Sequence, residues 1–228
     1  MTSNSRLNFI FDSLKFDKNR SIRKKILKII AADQKTFDYG NGYFYQSCEK
    51  INLSGLRKSK KRADILNLEE LTLEKKVLDI GTNTGFLLFE MNNNFNFCDA
   101  IDWNPTLIKT ANEVKEYLGL DKITFFSEDF MTFDFNKIYD VVLSLANHTT
   151  YDGGIDNYKT YFEKINKILC SNGYLILESH HPSYEKPEKF LEIINYLSKT
   201  YKIEKNFKYK FNNYADDKRE VFFLKKKL

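Results

Sequence analysis

Val77-Leu78-Asp79-Ile80-Gly81-Thr82-Asn83-Thr84-Gly85-Phe86 is the stretch on which the fold turns. A short apolar run carries an acid near its end and a glycine-punctuated turn follows. Phe86-Leu87-Leu88-Phe89-Glu90-Met91 then continues at helical spacing, so the stretch reads as strand, tight turn and helix. Glycines suit a turn that needs unusual backbone angles, and they let a ligand approach the main chain. A helix N-terminus also leaves amide donors without intrahelical partners, so the turn is expected to receive a polar ligand. Spacing narrows which one. A dinucleotide turn has the pattern G-x-G-x-x-G with the pyrophosphate at the helix start. Here Asn83 stands between Gly81 and Gly85, where no other glycine occurs, and nicotinamide dinucleotides are disfavoured.

Downstream the alternation repeats. Phe97-Cys98-Asp99-Ala100-Ile101-Asp102 reads as a second strand, Asn104-Pro105 opens a helix with proline near its first turn, and Ile123-Thr124-Phe125-Phe126 is a third strand. Tyr139 to Leu145 is a fourth strand and Gly173 to Glu178 a fifth, with the helix Tyr158 to Leu169 between them. Such βαβ units build parallel sheets. Asp102 lies about twenty residues past the turn, where a carboxylate accepts ribose hydroxyls in this type of sheet.

Upstream, residues 1–70 form a distinct segment. Ile22 to Ile30 alternates apolar and basic residues at helical spacing, its charges reading as a solvated face. Phe37 to Gln46 gathers aromatics, Tyr39 and Tyr45 among them, beside glycines; such a loop either anchors to the core or closes over a ligand. Gly55 to Arg62 is strongly basic, and Ala63 to Leu68 returns to helix.

The pattern Asp79-x-Gly81-x-Asn83-x-Gly85 resembles the first motif of class I S-adenosylmethionine-dependent methyltransferases. With Tyr45-Gln46, Gly55-x-Arg57 and Arg62, it resembles a subgroup acting on small glycans and their precursors or on transfer-RNA wobble uridine. The resemblance covers roughly residues 43–185. It implies an α/β fold: a seven-stranded, mostly parallel, doubly wound sheet, closed by an antiparallel C-terminal hairpin at about Tyr201 to Phe211 and Glu220 to Lys226. A small N-terminal helical cap over 1–70 would precede a methyltransferase domain over 71–228. It implies S-adenosylmethionine as cofactor, held by Tyr45, Gln46, Arg57, Asp79, Gly81, Asn83, Gly85, Asp102, Trp103, Asp129, Phe130 and Leu145. Asp102 would take the ribose, Trp103 would lie against the adenine, and Asp129, with Glu128 as the alternative, would meet the adenine amino group.

Composition sets bounds. The 228 residues are 42% hydrophobic, enough for one α/β domain with an appendage. A net charge of +5 with both signs interspersed fits a mild preference for anionic partners, not a dedicated nucleic-acid binder. Cys48, Cys98 and Cys170 are widely spaced and form no C-x-x-C, so neither a disulfide framework nor a metal cage is expected, and a reducing cytoplasmic setting fits. No secretory leader and no membrane-spanning apolar run is read.

Every histidine sits just past a strand end: His148 after the fourth, His180 and His181 after the fifth. Ligands bind outside the carboxyl ends of parallel strands. If the two strands are neighbours, as the resemblance implies, these imidazoles flank one crevice. The sulfonium methyl is already activated, so the protein must align an acceptor oxygen and remove a proton, and histidine titrates near neutral pH. His148 or His180 is the candidate base, with Glu178 as an orienting carboxylate. Arg62, His181 and Tyr39 are assigned to the acceptor, and Arg57 to the cofactor's carboxylate. The expected activity is O-methylation of a small polar, anionic acceptor such as a surface-polysaccharide precursor. The alternatives are a transfer-RNA uridine modifier and a catalytically silent nucleotide-binding assembly protein.

Overall fold

The computed structural model describes residues 11, 14–32, 44–91, 94–147, 157–180, 186–210 and 218–228. Helix α1 (Arg20–Ala32) comes first, and α2 (Ser59–Ile65) and α3 (Leu68–Leu71) lead into β1 (Lys76–Ile80). After α4 (Phe86–Phe89) come β2 (Phe97–Asp102), α5 (Pro105–Leu118), β3 (Ile123–Ser127) and β4 (Tyr139–Leu145). The chain continues through α6 (Tyr158–Ile168), β5 (Leu169–Glu178), α7 (Pro187–Leu197), β6 (Tyr201–Lys210) and β7 (Lys218–Lys226).

Among the described residues the strands form one seven-stranded sheet in the order β3-β2-β1-β4-β5-β7-β6. β1 to β5 are parallel, and β7 runs antiparallel between β5 and β6. The mostly parallel sheet with its closing hairpin is therefore as expected. β1 and β4 are buried almost end to end, as strands covered on both faces must be. The chain leaves β1 toward β2 and β3, then returns to the other side of β1 with β4. That reversal opens a crevice at the carboxyl ends of β1 and β4, where open α/β sheets bind ligands.

One face of the sheet is covered by α1, α4, α5 and residues 44–68, and the other by α6 and α7. The N-terminal segment thus shares a core with the sheet. Ile22, Ile26 and Ile30, spaced by four, put one stripe of α1 into that core. Its charges are not all solvated: Arg23 is fully buried, donating to Ile51 O at 2.9 Å and Lys15 O at 3.0 Å and pairing with Asp17. Helix α5 has local reasons for both ends. The Asn104 side chain accepts from Thr106 N, Pro105 fills the first turn, and Gly119 takes the left-handed angle that stops it. Helix α4 is a single turn, shorter than its spacing suggests, and α7 is an element the sequence reading did not contain. Lysines at 202, 205, 208 and 210 line the edge strand β6, a common guard against further strand pairing.

Candidate active site

The turn after β1 is closed on itself. Gly81 and Gly85 both have φ +69°, and a Cβ on Gly81 would stand 2.7 Å from Asn147 Nδ2, one on Gly85 2.5 Å from Phe125 Cζ. The glycines are thus required by the protein's own close packing as well as by backbone angle. Asn83, at φ 59°, adopts the left-handed region that asparagine tolerates better than most residues. The turn amides do not wait for a ligand. Gly81 N and Thr82 N donate to Ile101 O, Gly85 N to Thr82 O, Asn83 N to Asp102 Oδ2, Thr84 N to Asn83 Oδ1 and Phe86 N to Gln46 Oε1. This corrects the expectation of a donor-rich helix start. No amide cradle of the kind a pyrophosphate needs is left between Gly81 and Phe86, and the four-residue α4 adds none.

Gln46 is the clasp. Buried beneath the turn, it donates to Thr82 O at 3.3 Å while its oxygen receives Phe86 N at 3.0 Å and the Thr84 hydroxyl at 3.3 Å. The structure therefore places it as a support for the turn. Asp102, at the end of β2, receives Asn83 N on Oδ2 (2.9 Å) and Asn104 N on Oδ1 (3.0 Å). A carboxylate has about four lone-pair sites. Two are used here, so acceptor capacity remains on the carboxylate. Burial raises the pKa of Asp102, against the opposing effect of those two bonds. Asp79, also buried, is pushed up to about 7, first by burial and to a lesser degree by Asp102, while Thr82 and Arg62 pull it down.

Trp103 is 60% exposed beside the carboxyl edge, which excludes a core-packing role for its ring. Asp129 is exposed, one oxygen receiving Met131 N, and Glu128 beside it is exposed too. Phe130 turns its ring into the core against Tyr161, at 5.2 Å, so it offers the crevice only main-chain groups. Leu145 is buried at the end of β4.

Past β4, Asn147 is a residue that sequence reasoning missed. Its amide donates to Ile80 O, and its oxygen receives Ser144 Oγ and Tyr161 OH, which locks the end of β4 to the end of β1. No periodicity signals such a contact; the collision it would have with any side chain at Gly81 is visible only in three dimensions.

At the end of β5 the site changes character. Arg62 donates through Nε (3.0 Å) and Nη2 (2.8 Å) to Glu178 Oε2, which also receives Tyr209 OH at 2.8 Å. The structure thus joins two residues assigned to different tasks, the acceptor and the imidazole. Burial pulls the Arg62 pKa down, but Glu178 reverses this and the net shift is upward. Arg57 holds the cap loop by its backbone, bonded to Tyr45 O and Ser47 N, and its guanidinium lies 5.7 Å from the Tyr45 ring centre. Arg219, from β7, was not anticipated; it is buried and donates to Ser179 O at 3.0 Å. His180 follows Ser179 and is partly buried. His148, His181 and Tyr39 lie outside the described residues.

A switch-point crevice, an acid ending β2 and a glycine turn whose amides are bonded within the protein mark the carboxyl edge of this Rossmann-like sheet. Residues 71–221 match the family model described as a methyltransferase domain, and the chain belongs to that family: it is an S-adenosylmethionine-dependent methyltransferase. Among solved structures, it is similar to the N-methyltransferase NodS from Bradyrhizobium japonicum WM9 in complex with S-adenosyl-L-homocysteine. The two are 14% identical with a TM-score of 0.62, over 92% of this chain and 99% of that one. A putative class I S-adenosylmethionine-dependent methyltransferase from Listeria monocytogenes is 16% identical with a TM-score of 0.62, over 92% of this chain and 69% of that one. An S-adenosylmethionine-dependent methyltransferase from Clostridium acetobutylicum ATCC 824 gives 15% identity and a TM-score of 0.60, over 75% of this chain and 92% of that one. At these identities the likeness is one of fold. No curated protein matches the chain.

Proposed function

We propose that the chain transfers the methyl group of S-adenosylmethionine to an oxygen of a small polar, anionic acceptor, such as a surface-polysaccharide precursor. The observation that carries the reading is the contrast between a turn with no amide cradle and the buried arginines, Arg62 and Arg219, at the β5–β7 side. A cofactor without phosphate suits the first. An acceptor bearing a carboxylate or phosphate suits the second.

The cofactor supplies an activated methyl. Asp102 receives the ribose hydroxyls on its remaining lone pairs, the exposed Trp103 ring covers the adenine, Asp129 meets its amino group, and the Asp79 charge faces the cationic methionine end. Arg57 takes the cofactor's carboxylate. A histidine at the crevice rim, His148 or His180, removes the acceptor's proton, a task worth roughly 10²–10⁴-fold. Three free cysteines suit a reducing compartment, and we place the protein in the cytoplasm. Among the described residues no helix is long and apolar enough to cross a membrane.

The test is a panel of hydroxyl-bearing sugar acids, sugar phosphates and amines incubated with methyl-labelled cofactor, products identified by mass spectrometry. A labelled ether or ester on an anionic sugar supports the reading, and a labelled amine alone sinks it. A second reading, methylation at transfer-RNA uridine, draws on the lysines of β6. It would show as binding that falls steeply with added salt.

A further inference from the structure

We propose that Tyr161, on α6, is a positioning residue for S-adenosylmethionine: it holds three walls of the crevice in one register without touching the cofactor. The inference rests on the cofactor placement given above, with Asp102 at the ribose, and is independent of the acceptor.

Burial comes first. Tyr161 is 0% exposed, in the core between the sheet and α6, so a ligand in the crevice meets neither its ring nor its hydroxyl. What the hydroxyl meets is the end of β4. It donates to Asn147 Oδ1 at 3.2 Å and lies 2.9 Å from Ser144 Oγ, which itself donates to Asn147 Oδ1 at 2.8 Å. The Asn147 amide nitrogen donates to the carbonyl of Ile80, the last residue of β1, so the amide oxygen is the acceptor for both hydroxyls. The same nitrogen would stand 2.7 Å from a Cβ on Gly81. From β4 the network thus reaches the first glycine of the cofactor turn.

The third wall is the segment after β3. Phe130 sets its ring edge-on to Tyr161, with 5.2 Å between centres. It directly follows Asp129, the acid placed at the adenine amino group. One side chain therefore supports the ends of β1 and β4 through hydrogen bonds and the adenine segment through packing.

The backbone shows why the end of β4 needs holding. Ala146 has φ +60°, a left-handed angle that L residues rarely adopt. Alanine has no polar side chain with which to stabilise it, so the bonds on either side do so: Ala146 N to Glu178 O, and Asn147 to Ile80, Ser144 and Tyr161. Constrained angles of this kind persist where the surroundings over-determine them.

The same strand supplies an internal comparison. Tyr139, at the start of β4, is also wholly buried in that core, and its hydroxyl donates to Asp99 Oδ2 at 2.7 Å. At about 3.3 Å per residue it lies about 17 Å from Ser144, toward the amino edge of the sheet. Asp99 keeps Lys137 when that hydroxyl is removed. Two buried tyrosine hydroxyls in one core thus differ in which end of the sheet they hold.

The test is calorimetry of S-adenosyl-L-homocysteine binding to the full chain, with the urea midpoint of each variant measured beside it. Tyr161→Phe, which deletes only the hydroxyl, should raise the Kd by about threefold to tenfold, the loss of one positioning bond. Tyr139→Phe should change it by less than about twofold at an equal or greater loss of stability, since its bond is to a carboxylate. Ser144→Ala should act as Tyr161→Phe does, and it carries the comparison if the phenylalanine variant does not fold. An unchanged Kd in Tyr161→Phe, or Kd shifts that follow the stability loss alike in both tyrosine variants, overturns the assignment. Asp102→Ala separates this outcome from the cofactor placement: if it leaves the Kd unchanged, the cofactor lies elsewhere and the inference falls with that reading. If Asp102→Ala weakens binding while Tyr161→Phe does not, only the role of Tyr161 is removed.

Discussion

On the β1–β2 side of the crevice, Asn83 meets Asp102 across 19 residues of sequence, and the turn amides are satisfied by Ile101, Asp102, Gln46 and the turn itself. On the β5–β7 side, Arg62 reaches Glu178 across 116 residues, Arg219 reaches Ser179 across 40, and Tyr209 reaches Glu178 across 31. The first region holds two buried carboxyl groups, Asp79 and Asp102, and no described arginine bonds to either; its turn amides are all engaged. The second concentrates buried charge. The first region is tied by bonds between neighbouring strands, whereas the second depends on residues brought together from distant parts of the chain.

Breaking the second region should have the largest effect. Arg62→Ala leaves the Glu178 carboxylate buried without its main cation and is expected to destabilise the protein by about 3–5 kcal/mol, read from the urea midpoint. Loss of well under ~1 kcal/mol would mean that the pair is solvated and the two regions differ less than their geometry says. On the other side, Gly85→Ala forces a left-handed angle on alanine, at about 1–2 kcal/mol, and drives its methyl toward the Phe125 ring, at about 1–3 kcal/mol more. Cofactor affinity should fall with it, because the turn carries Asn83 onto Asp102. A variant that keeps its melting temperature while losing cofactor would show that the glycine serves the ligand and not the packing.

How legible each region was follows from the same contrast. The turn, the strands and the acid that ends β2 were readable because each is a local pattern: a glycine spacing, apolar runs, an acid at a strand end. Arg23 shows the limit within one helix, since its basic neighbours hide a cation whose partners, Asp17 and Ile51, lie in flanking segments. Arg62 shows the limit between segments: from sequence it belongs to a basic run, and only the meeting of α2 with the end of β5 gives it Glu178. Arg219 sits among the lysines of the closing hairpin, indistinguishable from an edge-strand charge until β7 is paired with β5. Gln46 stands out in the sequence, but its bonds to Thr82, Thr84 and Phe86 do not, because they join segments some forty residues apart. Gln46→Ala should cost about 1–3 kcal/mol for the turn groups it leaves unpaired, and raise the cofactor Kd only through the loosened turn. A Kd effect without a stability effect would return Gln46 to direct contact with the cofactor.

The smallest expected effect is also the most specific to the cofactor side. Asp79 is buried at the end of β1, and burial pushes its pKa up to about 7 from 3.8. The folded, unliganded protein therefore holds more protons than the unfolded chain between about pH 4 and pH 7, and this group's contribution to stability falls as pH rises through that window. Asp79→Asn should remove that fall, separating it from Asp102 and Glu90, whose raised values slope the same way. A cation placed near Asp79 favours its ionised form. The affinity for S-adenosylmethionine should then improve between pH 6 and pH 8, by up to about tenfold or ~1.4 kcal/mol, with proton release on binding. S-adenosyl-L-homocysteine has lost the sulfonium charge and should show a shallower dependence. Calorimetry in two buffers of different ionisation enthalpy measures the protons directly, for both ligands and for Asp79→Asn. Equal proton release with the two ligands would place the sulfonium away from Asp79 and leave the carboxyl a purely structural acid at the foot of the turn.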